Sequence, residues 1–303
     1  MAVTNLMQKK VFLTGCTGEI GFRLTLLLLD LGYQVYGVSG TKKCLINNPR
    51  HSCAQINLLD PLLELNLQDI KPDILVHTSW LTTPKEFWNS DQNSVWVTAS
   101  KRIIHQFLLS GGTYLVVTGS CAEYSWDTSS PLGENSLEAP ATIYGRSKLE
   151  LLNWIRTQEA PFLWTRTFFQ FGMNEPRGRL IPDVIDLLSK GEEFVVRSSS
   201  DIRDFVYVDD VSKILSLLIS QSQLGVVNIG SGDGINVGEL VRSVAKLVGR
   251  EDLLKFDREE IQKSSTVSDP EKLLTVLGGF NWTPLESALF ETIKARTTEL
   301  TKS

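Results

Sequence analysis

The stretch Thr14-Gly15-Cys16-Thr17-Gly18-Glu19-Ile20-Gly21 decides how the chain is read. It follows a short apolar run, Val11 to Leu13, and opens a segment of helical spacing, Ile20 to Leu31. Backbone N–H groups at a helix N-terminus attract a pyrophosphate, and only residues without Cβ allow the turn, the close approach and the tight helix–strand packing. Gly15, Gly18 and Gly21 supply those positions. Gly15, Thr17, Gly18, Glu19, Ile20 and Gly21 are therefore the expected dinucleotide contacts.

Working outward, short β-branched or aromatic runs alternate with helical segments: Gln34 to Val38, Ile74 to His77, Tyr114 to Thr118 and Phe162 to Thr165 all read as strands. Parallel neighbours need a crossover, so this alternation predicts a doubly wound α/β fold, a Rossmann-like parallel sheet with helices on both faces. After Thr165, Gly172, Pro176, Gly178 and Pro182 punctuate a loop before the helical stretch Asp183 to Ser189. Asp204 to Val208 with Val211 to Ser220 reads as a strand and helix returning to the first domain. Val226 to Ile229 and the helices Val237 to Val248 and Pro284 to Arg296 follow. The expected division is 1–165 plus 203–230 for the dinucleotide-binding domain and 166–202 plus 231–303 for a smaller, interleaved substrate lobe.

A dinucleotide whose ribose 2′-hydroxyl is free asks for a carboxylate at the end of the second strand. The run there is Val38-Ser39-Gly40-Thr41-Lys42-Lys43, which has none. Hydroxyls and lysines meet a 2′-phosphate instead, so Ser39, Thr41, Lys42 and Lys43 favour NADP(H), with NAD(H) the alternative.

Tyr144 and Lys148 stand four residues apart, one helical turn, on one face. Ser120 lies just beyond the strand Tyr114 to Thr118, at the carboxyl edge where an open sheet places its ligands. A ketone reduced by hydride needs a proton at its oxygen. A nearby ammonium favours the phenolate and brings a phenol closer to working pH, while a serine hydroxyl binds the carbonyl. Ser120, Tyr144 and Lys148 are the expected catalytic set.

The 303 residues carry 30 Lys and Arg against 35 Asp and Glu, a net charge of -5, with no basic footprint for nucleic acid or anionic membranes. Leu24 to Leu31 contains Asp30 and falls far short of the ~20 apolar residues of a bilayer span. The first fifteen residues lack the features of a secretion signal, so a cytoplasmic location is expected. Four cysteines are too few for a disulfide framework. Cys44, His51 and Cys53 have metal-ligating types, but a fourth ligand at finger or ribbon spacing is absent, so no metal is expected.

The segments TGCTGEIG (14–21), DILVHTSW (73–80), YLVVTGSCAEY (114–124), YGRSK (144–148), RTFFQFG (166–172), RLIPDVI (179–185), IRDFVYVDDV (202–211), VNIGSG (227–232) and NWTPLESAL (281–289) together resemble the extended short-chain dehydrogenase/reductase superfamily, in its nucleotide-sugar epimerase, dehydratase and reductase branch. The resemblance spans nearly the whole chain. It implies catalytic Ser120, Tyr144 and Lys148, with Lys148 also touching the nicotinamide ribose and Arg203 the diphosphate of a nucleotide sugar. A simpler role for Arg203 is a partner of Asp201 or Asp204. The resemblance also implies a homodimer through the apolar faces of Val95 to Leu109 and Lys148 to Arg156.

Sugar dehydratases of this family follow the catalytic hydroxyl with Asp-Glu; here Cys121 and Ala122 stand instead, and neither relays a proton as a carboxyl does. GSCAEYSW (119–126), the Trp80 to Trp96 stretch and RTFFQFG look like bacterial enzymes that reduce the 4-keto group of nucleotide-linked deoxysugars, as in CDP-abequose synthase. Reduction of a 4-keto 6-deoxyhexose is thus the leading expectation, 4-epimerisation with NAD the second, and a non-catalytic NAD(P)-binding protein the third. Cys121 is expected to line the pocket and Gln170 to replace the Asn that many relatives use at the diphosphate. Arg258 and Lys263 are candidates for a second diphosphate contact. His77 is read as a packed strand residue, Asn93 as either a nicotinamide-side orienter or an exposed helix start, and Trp80, Trp88 and Trp96 as mainly core.

Overall fold

Seven parallel strands form the central sheet of the computed structural model, which describes residues 9–84, 86–126, 131–257 and 264–300. They are β1 (Lys10–Thr14), β2 (Gln34–Ser39), β3 (His51–Gln55), β4 (Ile74–His77), β5 (Tyr114–Ser120), β6 (Phe162–Thr167) and β7 (Gly225–Ile229), ordered β7-β6-β5-β4-β1-β2-β3. The order reverses between β1 and β4, and a crevice opens there at the carboxyl edge.

The buried side chains of β1 and β4 explain the layering. Val11, Leu13, Ile74 and Val76 pack on one side with Leu24 and Leu28 of α1 (Glu19–Asp30). Phe12 and Leu75 pack on the other with Ile103, Ile104 and Phe107 of α2 (Gln92–Leu109) and Leu151, Leu152 and Ile155 of α3 (Ile143–Arg156). A strand buried on both faces has apolar residues at successive positions, which is why these runs were legible.

Two elements depart from the sequence reading. β3, His-Ser-Cys-Ala-Gln, is an edge strand exposed over most of its length, so it has no apolar alternation to betray it and is held by pairing with β2 alone. The strand expected at Asp204 to Val208 spans Ile202–Tyr207 and does not enter the large sheet. It pairs with Phe169–Phe171, Gly234–Asn236 and Ser265–Thr266 in a separate four-stranded sheet. The return to the first layer starts one element later, at α4 (Val208–Ser220), whose Val211, Ile214, Leu215 and Leu218 share a core with α1. A period of two does not say which sheet a strand joins.

The smaller lobe closes over Leu180–Ser189, Val237–Val248 and Leu285–Leu300, with Ile185, Leu240, Val244 and Leu289 at its centre. No described helix is long and apolar enough to cross a membrane.

Gly21 tests the tightness of the β1–α1 junction. A Cβ there would stand 2.1 Å from the Gly15 carbonyl oxygen, whereas one on Gly40 would meet nothing within 4 Å. Gly21→Ala is expected to cost about 1–3 kcal/mol in urea unfolding, and Gly40→Ala to stay within about 0.5 kcal/mol of the parent. Equal midpoints for both variants would contradict this packing.

Candidate active site

The glycine turn is fixed to the sheet before any ligand is considered. Gly15 adopts a φ of 79°, and the N–H groups of Gly15 and Cys16 both donate to the Val38 carbonyl, at 2.8 and 3.1 Å. Gly18 donates to the Gly15 carbonyl at 2.9 Å and stands at the N-cap of α1 with no side chain to satisfy the helix amides. The first-turn N–H groups of Glu19, Ile20 and Gly21 have no acceptor within the helix, and Thr17 sits on the approach to them. This is a cradle that fits a pyrophosphate. The Glu19 side chain turns elsewhere: it pairs with Arg23 at 3.3 Å, accepts from the Asn174 N–H at 3.3 Å, and has one buried oxygen without a partner. Burial pushes its carboxyl up, against the pull of Arg23. Glu19 thus offers its amide to the cradle and its carboxylate to the seam with the smaller lobe.

At the end of β2, Ser39 is buried, whereas Thr41, Lys42 and Lys43 are exposed. The Thr41 carbonyl accepts from Gln55 Nε2 at 3.2 Å, and Lys42 lies close enough to Glu19 to favour its ionised form.

Ser120, Tyr144 and Lys148 come together at the carboxyl edge of β5. Ser120 ends the strand and caps the 3₁₀ turn Cys121–Glu123, its Oγ accepting from the Ala122 N–H at 3.2 Å. α3 starts on a Thr142 cap that accepts from the Gly145 N–H at 3.0 Å. A Cβ on Gly145 would lie 2.1 Å from the Ala122 carbonyl oxygen, so glycine lets the helix start press on the serine turn. Tyr144 is thereby delivered to Ser120, with which its side chain hydrogen-bonds. The Phe87 and Trp88 rings meet the tyrosine edge-on, with centroids at 5.1 and 5.7 Å.

One turn on, Lys148 is only 3% exposed; its Nζ donates to the Thr118 carbonyl at 2.8 Å and lies 3.8 Å from the Trp80 ring centroid. Burial lowers its pKa to about 7, while Glu123 pulls it back up. Burial also raises the Tyr144 phenol, opposed by the Ser120 hydrogen bond and by Arg179. This corrects the expectation that the lysine holds the phenol down. The ammonium is engaged by Thr118 and Trp80, 6.0 Å from the tyrosine ring centroid, and desolvation outweighs it. Arg179, whose Cζ lies 4.4 Å from the Phe87 ring centroid, was overlooked in the sequence because an isolated arginine before a helix carries no spacing signal.

Behind the serine lies Glu123, fully buried. Its carboxylate accepts from the Ser120 N–H at 2.8 Å, from Trp164 Nε1 at 3.0 Å and from Arg166 Nε at 2.7 Å. Buried and held by these three donors, it does not supply the carboxyl group missing at Cys121 and Ala122. Asn93 is fully buried, accepting from Trp80 Nε1 at 2.9 Å and donating to the Phe87 carbonyl at 2.6 Å, so the exposed helix-start reading is set aside. Trp80 stacks on Trp96, with centroids 6.2 Å apart. His77 is buried between Thr14 Oγ1 at 2.7 Å and Ser100 Oγ at 2.8 Å.

The expected substrate residues gather on the smaller-lobe side. Arg203 donates to Asp201 at 2.8 Å and to Ser264 Oγ at 2.8 Å, and its Cζ lies 5.7 and 5.4 Å from the Trp126 and Phe169 ring centroids. It does not pair with Asp204, which anchors the N–H groups of Ser231 and Gly232 at 3.0 Å each. Cys121 is buried beside Tyr124 and Phe168, and its carbonyl accepts from Trp126 Nε1 at 2.9 Å. The Gln170 amide oxygen is buried without a hydrogen-bond partner. Arg258 and Lys263 lie outside the described residues.

Comparison with known proteins adds four findings. The model of the NAD dependent epimerase/dehydratase family matches residues 11–230. UDP-glucose 4-epimerase 2 of Arabidopsis thaliana is 26% identical over 293 residues, covering 80% of this chain and 82% of its own. Among solved structures, MoeE5 in complex with UDP-glucose and NAD is 25% identical with a TM-score of 0.81, covering 96% of this chain and 99% of its own. The UDP-N-acetylglucosamine 4-epimerase of Methanobrevibacter ruminantium M1, in complex with UDP-N-acetylmuramic acid, has a TM-score of 0.83 at 21% identity over 96% of this chain and 99% of its own.

Lys148 carries a clear pH signature. Its ammonium ordinarily titrates at 10.5 and in the fold at about 7. Between those values the unfolded chain binds more protons, so stability rises with pH across that window; below 7 both states are protonated and the burial penalty is complete. The urea midpoint of the cofactor-free protein is expected to climb from pH 7 to 10 relative to Lys148→Met, with a differential slope of at most about 1.4 kcal/mol per pH unit. Parallel profiles would contradict the shift.

Proposed function

The chain belongs to the NAD dependent epimerase/dehydratase family, and from that premise we propose that it is a nucleotide-sugar 4-epimerase working with NAD. The observation that carries this reading is the Ser120–Tyr144–Lys148 set at the end of β5 and the start of α3, across the switch-point crevice from an uncapped glycine turn. Dehydration is disfavoured because Cys121 and Ala122 occupy the two positions after the catalytic hydroxyl and Glu123 is bound behind it. The sequence alone favours 4-keto reduction with NADP(H), whereas the UDP-sugar 4-epimerases and the NAD complex among the relatives support 4-epimerisation with NAD better.

Gly15, Thr17, Gly18, Glu19, Ile20 and Gly21 would hold the dinucleotide diphosphate through backbone amides. A nicotinamide held there would supply reversible hydride exchange with sugar C4. Tyr144 exchanges a proton with the C4 oxygen at its phenolic oxygen: as phenolate it would take the hydroxyl's proton on oxidation, and as phenol give it back after the ketone has turned its other face. Ser120 Oγ binds that same sugar oxygen and holds it against the phenol. Lys148, tied to Thr118 one turn along, is placed for the nicotinamide ribose. Cys121, Gln170 and Arg203 line the nucleotide-sugar side, where the unpartnered Gln170 oxygen offers an acceptor. Pairing through α2 and α3, where Val95 and Leu109 are 40% and 68% exposed, is the homodimer that goes with this reading.

The reductase remains a second reading because the end of β2 has Ser39 and two lysines where NAD would find a carboxylate. The two are separated by cofactor accounting. With UDP-glucose and UDP-galactose the epimerase interconverts the sugars without net loss of cofactor, whereas a reductase consumes NADPH one-for-one with a 4-keto-6-deoxy sugar nucleotide. We expect the former, and expect Tyr144→Phe to lower turnover about 10²–10⁴-fold while NAD affinity stays within about twofold. Interconversion at wild-type rate by Tyr144→Phe would sink the assignment. A Lys42→Ala, Lys43→Ala double variant is expected to bind NAD as the parent does; an NADPH affinity reduced tenfold or more, with NADPH the tighter ligand of the parent, would restore the reductase order.

A further inference from the structure

Three cysteines and a histidine from separate segments converge beside the glycine turn. Cys16 comes from the turn itself, Cys44 from the loop after β2, and His51 and Cys53 from β3. Cys16 Sγ lies 3.3 Å from Cys53 Sγ, Cys44 Sγ lies 3.9 Å from His51 Nε2, and the three sulfurs all lie within 4.8 Å of one another. Among the described residues the three cysteines are the one group of three or more Cys, His, Asp or Glu ligand atoms close enough to share an ion, and His51 stands at its edge, beside Cys44. A tetrahedral site with metal–sulfur bonds near 2.3 Å has sulfur–sulfur edges of about 3.8 Å, within the 4.8 Å that spans the three sulfurs.

The surroundings are shaped for it. A Cβ on Gly37 would stand 2.8 Å from Cys16 Sγ and 3.2 Å from His51 Nε2, so the strand beneath carries glycine where any other residue would fill the nook. The His51 imidazole is held by a hydrogen bond to the Ile46 backbone, the outer contact that orients a metal-ligating histidine. Cys44 and Ile46 are seated against the core under α1, which keeps the loop folded back over the sheet. The spacing Cys44, His51, Cys53 lacked a fourth ligand in the sequence because that ligand, Cys16, lies on another strand's turn.

We propose that Cys16, Cys44, Cys53 and His51 form a binding site for one thiophilic divalent cation of the zinc class. Soft thiolates select such an ion over magnesium or calcium. On binding, three S–H bonds give way to three metal–sulfur bonds, the protons pass to solvent, and the neutral imidazole turns in from beside Cys44 to supply the fourth bond. A filled site cross-links the loop after β2 to the β1–α1 turn, so it stiffens the wall of the dinucleotide cradle without taking part in chemistry at Tyr144. The site stands independently of the epimerase reading.

The full chain, reduced and stripped of metal by chelation, is titrated with Co²⁺ under argon. The expected result is a sulfur-to-cobalt charge-transfer band in the near ultraviolet and intense visible bands of tetrahedral cobalt, saturating at one equivalent and bleached by Zn²⁺. Cys53→Ser, at an exposed position, and Cys44→Ser are each expected to weaken cobalt binding at least about tenfold, and Cys121→Ser to leave the spectrum unchanged. Zn²⁺ should raise the melting temperature of the parent and not that of Cys53→Ser, a readout that does not depend on activity. Absence of a saturable band, or a spectrum indifferent to Cys53→Ser in a variant that melts cooperatively, would overturn the proposal.

Discussion

A carboxylate sealed from water must be satisfied entirely by protein donors, and Glu123 is such a group. Trp164, Arg166 and the backbone of Ser120 converge on it, and every one of these residues sits on β5 or β6. Leaving the charge unpaired would cost several kcal/mol, so the serine turn is locked to the neighbouring strand. The lock propagates. Arg166 reaches on to Glu138 and lies over the Tyr124 ring, whose hydroxyl donates to Asn228 on β7 at 2.8 Å. Gly119 carries no side chain because Trp164 Nε1 and Glu123 Oε1 would meet its Cβ at 2.1 and 2.4 Å. The end of β5 is therefore a rigid platform across three strands, and the position of Ser120 is a consequence of it.

The platform dictates the state of the tyrosine and lysine. Burial raises a phenol and lowers an ammonium, so both groups are pushed toward their neutral forms before any ligand arrives. A neutral phenol is ready to donate and a nearly neutral amine is ready to gain charge. Before any ligand arrives the proton therefore rests on the phenol, the form that donates to a ketone oxygen, whereas taking a proton from a C4 hydroxyl requires the phenolate. Thr118 and Trp80 restrain the amine, and Asn93 restrains Trp80, so the pair owes its geometry to contacts that lie on the core side of α2 and α3.

Local features were legible in the sequence and distant ones were not. The glycine turn, the helix start at Tyr144 and the four-residue step to Lys148 are each written in consecutive residues, so spacing alone revealed them. The large sheet was visible because its strands are apolar on both faces. β3 escaped because its residues are polar and exposed, and Ile202–Tyr207 was assigned to the wrong sheet because alternation is blind to partners. Glu123 was passed over as one letter in the segment after Ser120; its role depends on Arg166, 43 residues away. Cys16 joined Cys53 only through the pairing of β2 with both β1 and β3. The seam between the lobes hid in the same way. Glu19, Arg23, Asp209 and Asn174 meet across 155 residues or more, and none of them carries a local pattern that announces it.

Inverting C4 makes a demand on the pocket that reducing C4 does not. The hydride leaves one face of the sugar and returns to the other, so the ring must turn over while the nucleotide stays anchored. A pocket crowded with hydrogen-bond donors would hold the sugar in one pose. Here the rim beyond Tyr144 is a run of rings, Trp88 to Trp126 at 5.8 Å, Trp126 to Phe169 at 5.8 Å and Phe169 to Phe205 at 5.9 Å. Flat apolar walls touch either face of a sugar with similar energy and impose few directional bonds. In the proposed epimerase, anchoring would fall to Arg203, which is stiffened by Asp201 and Ser264 and lies against two of those rings. Such a charged anchor beside a smooth aromatic wall would separate holding the nucleotide from gripping the hexose, as inversion requires and one-way reduction does not.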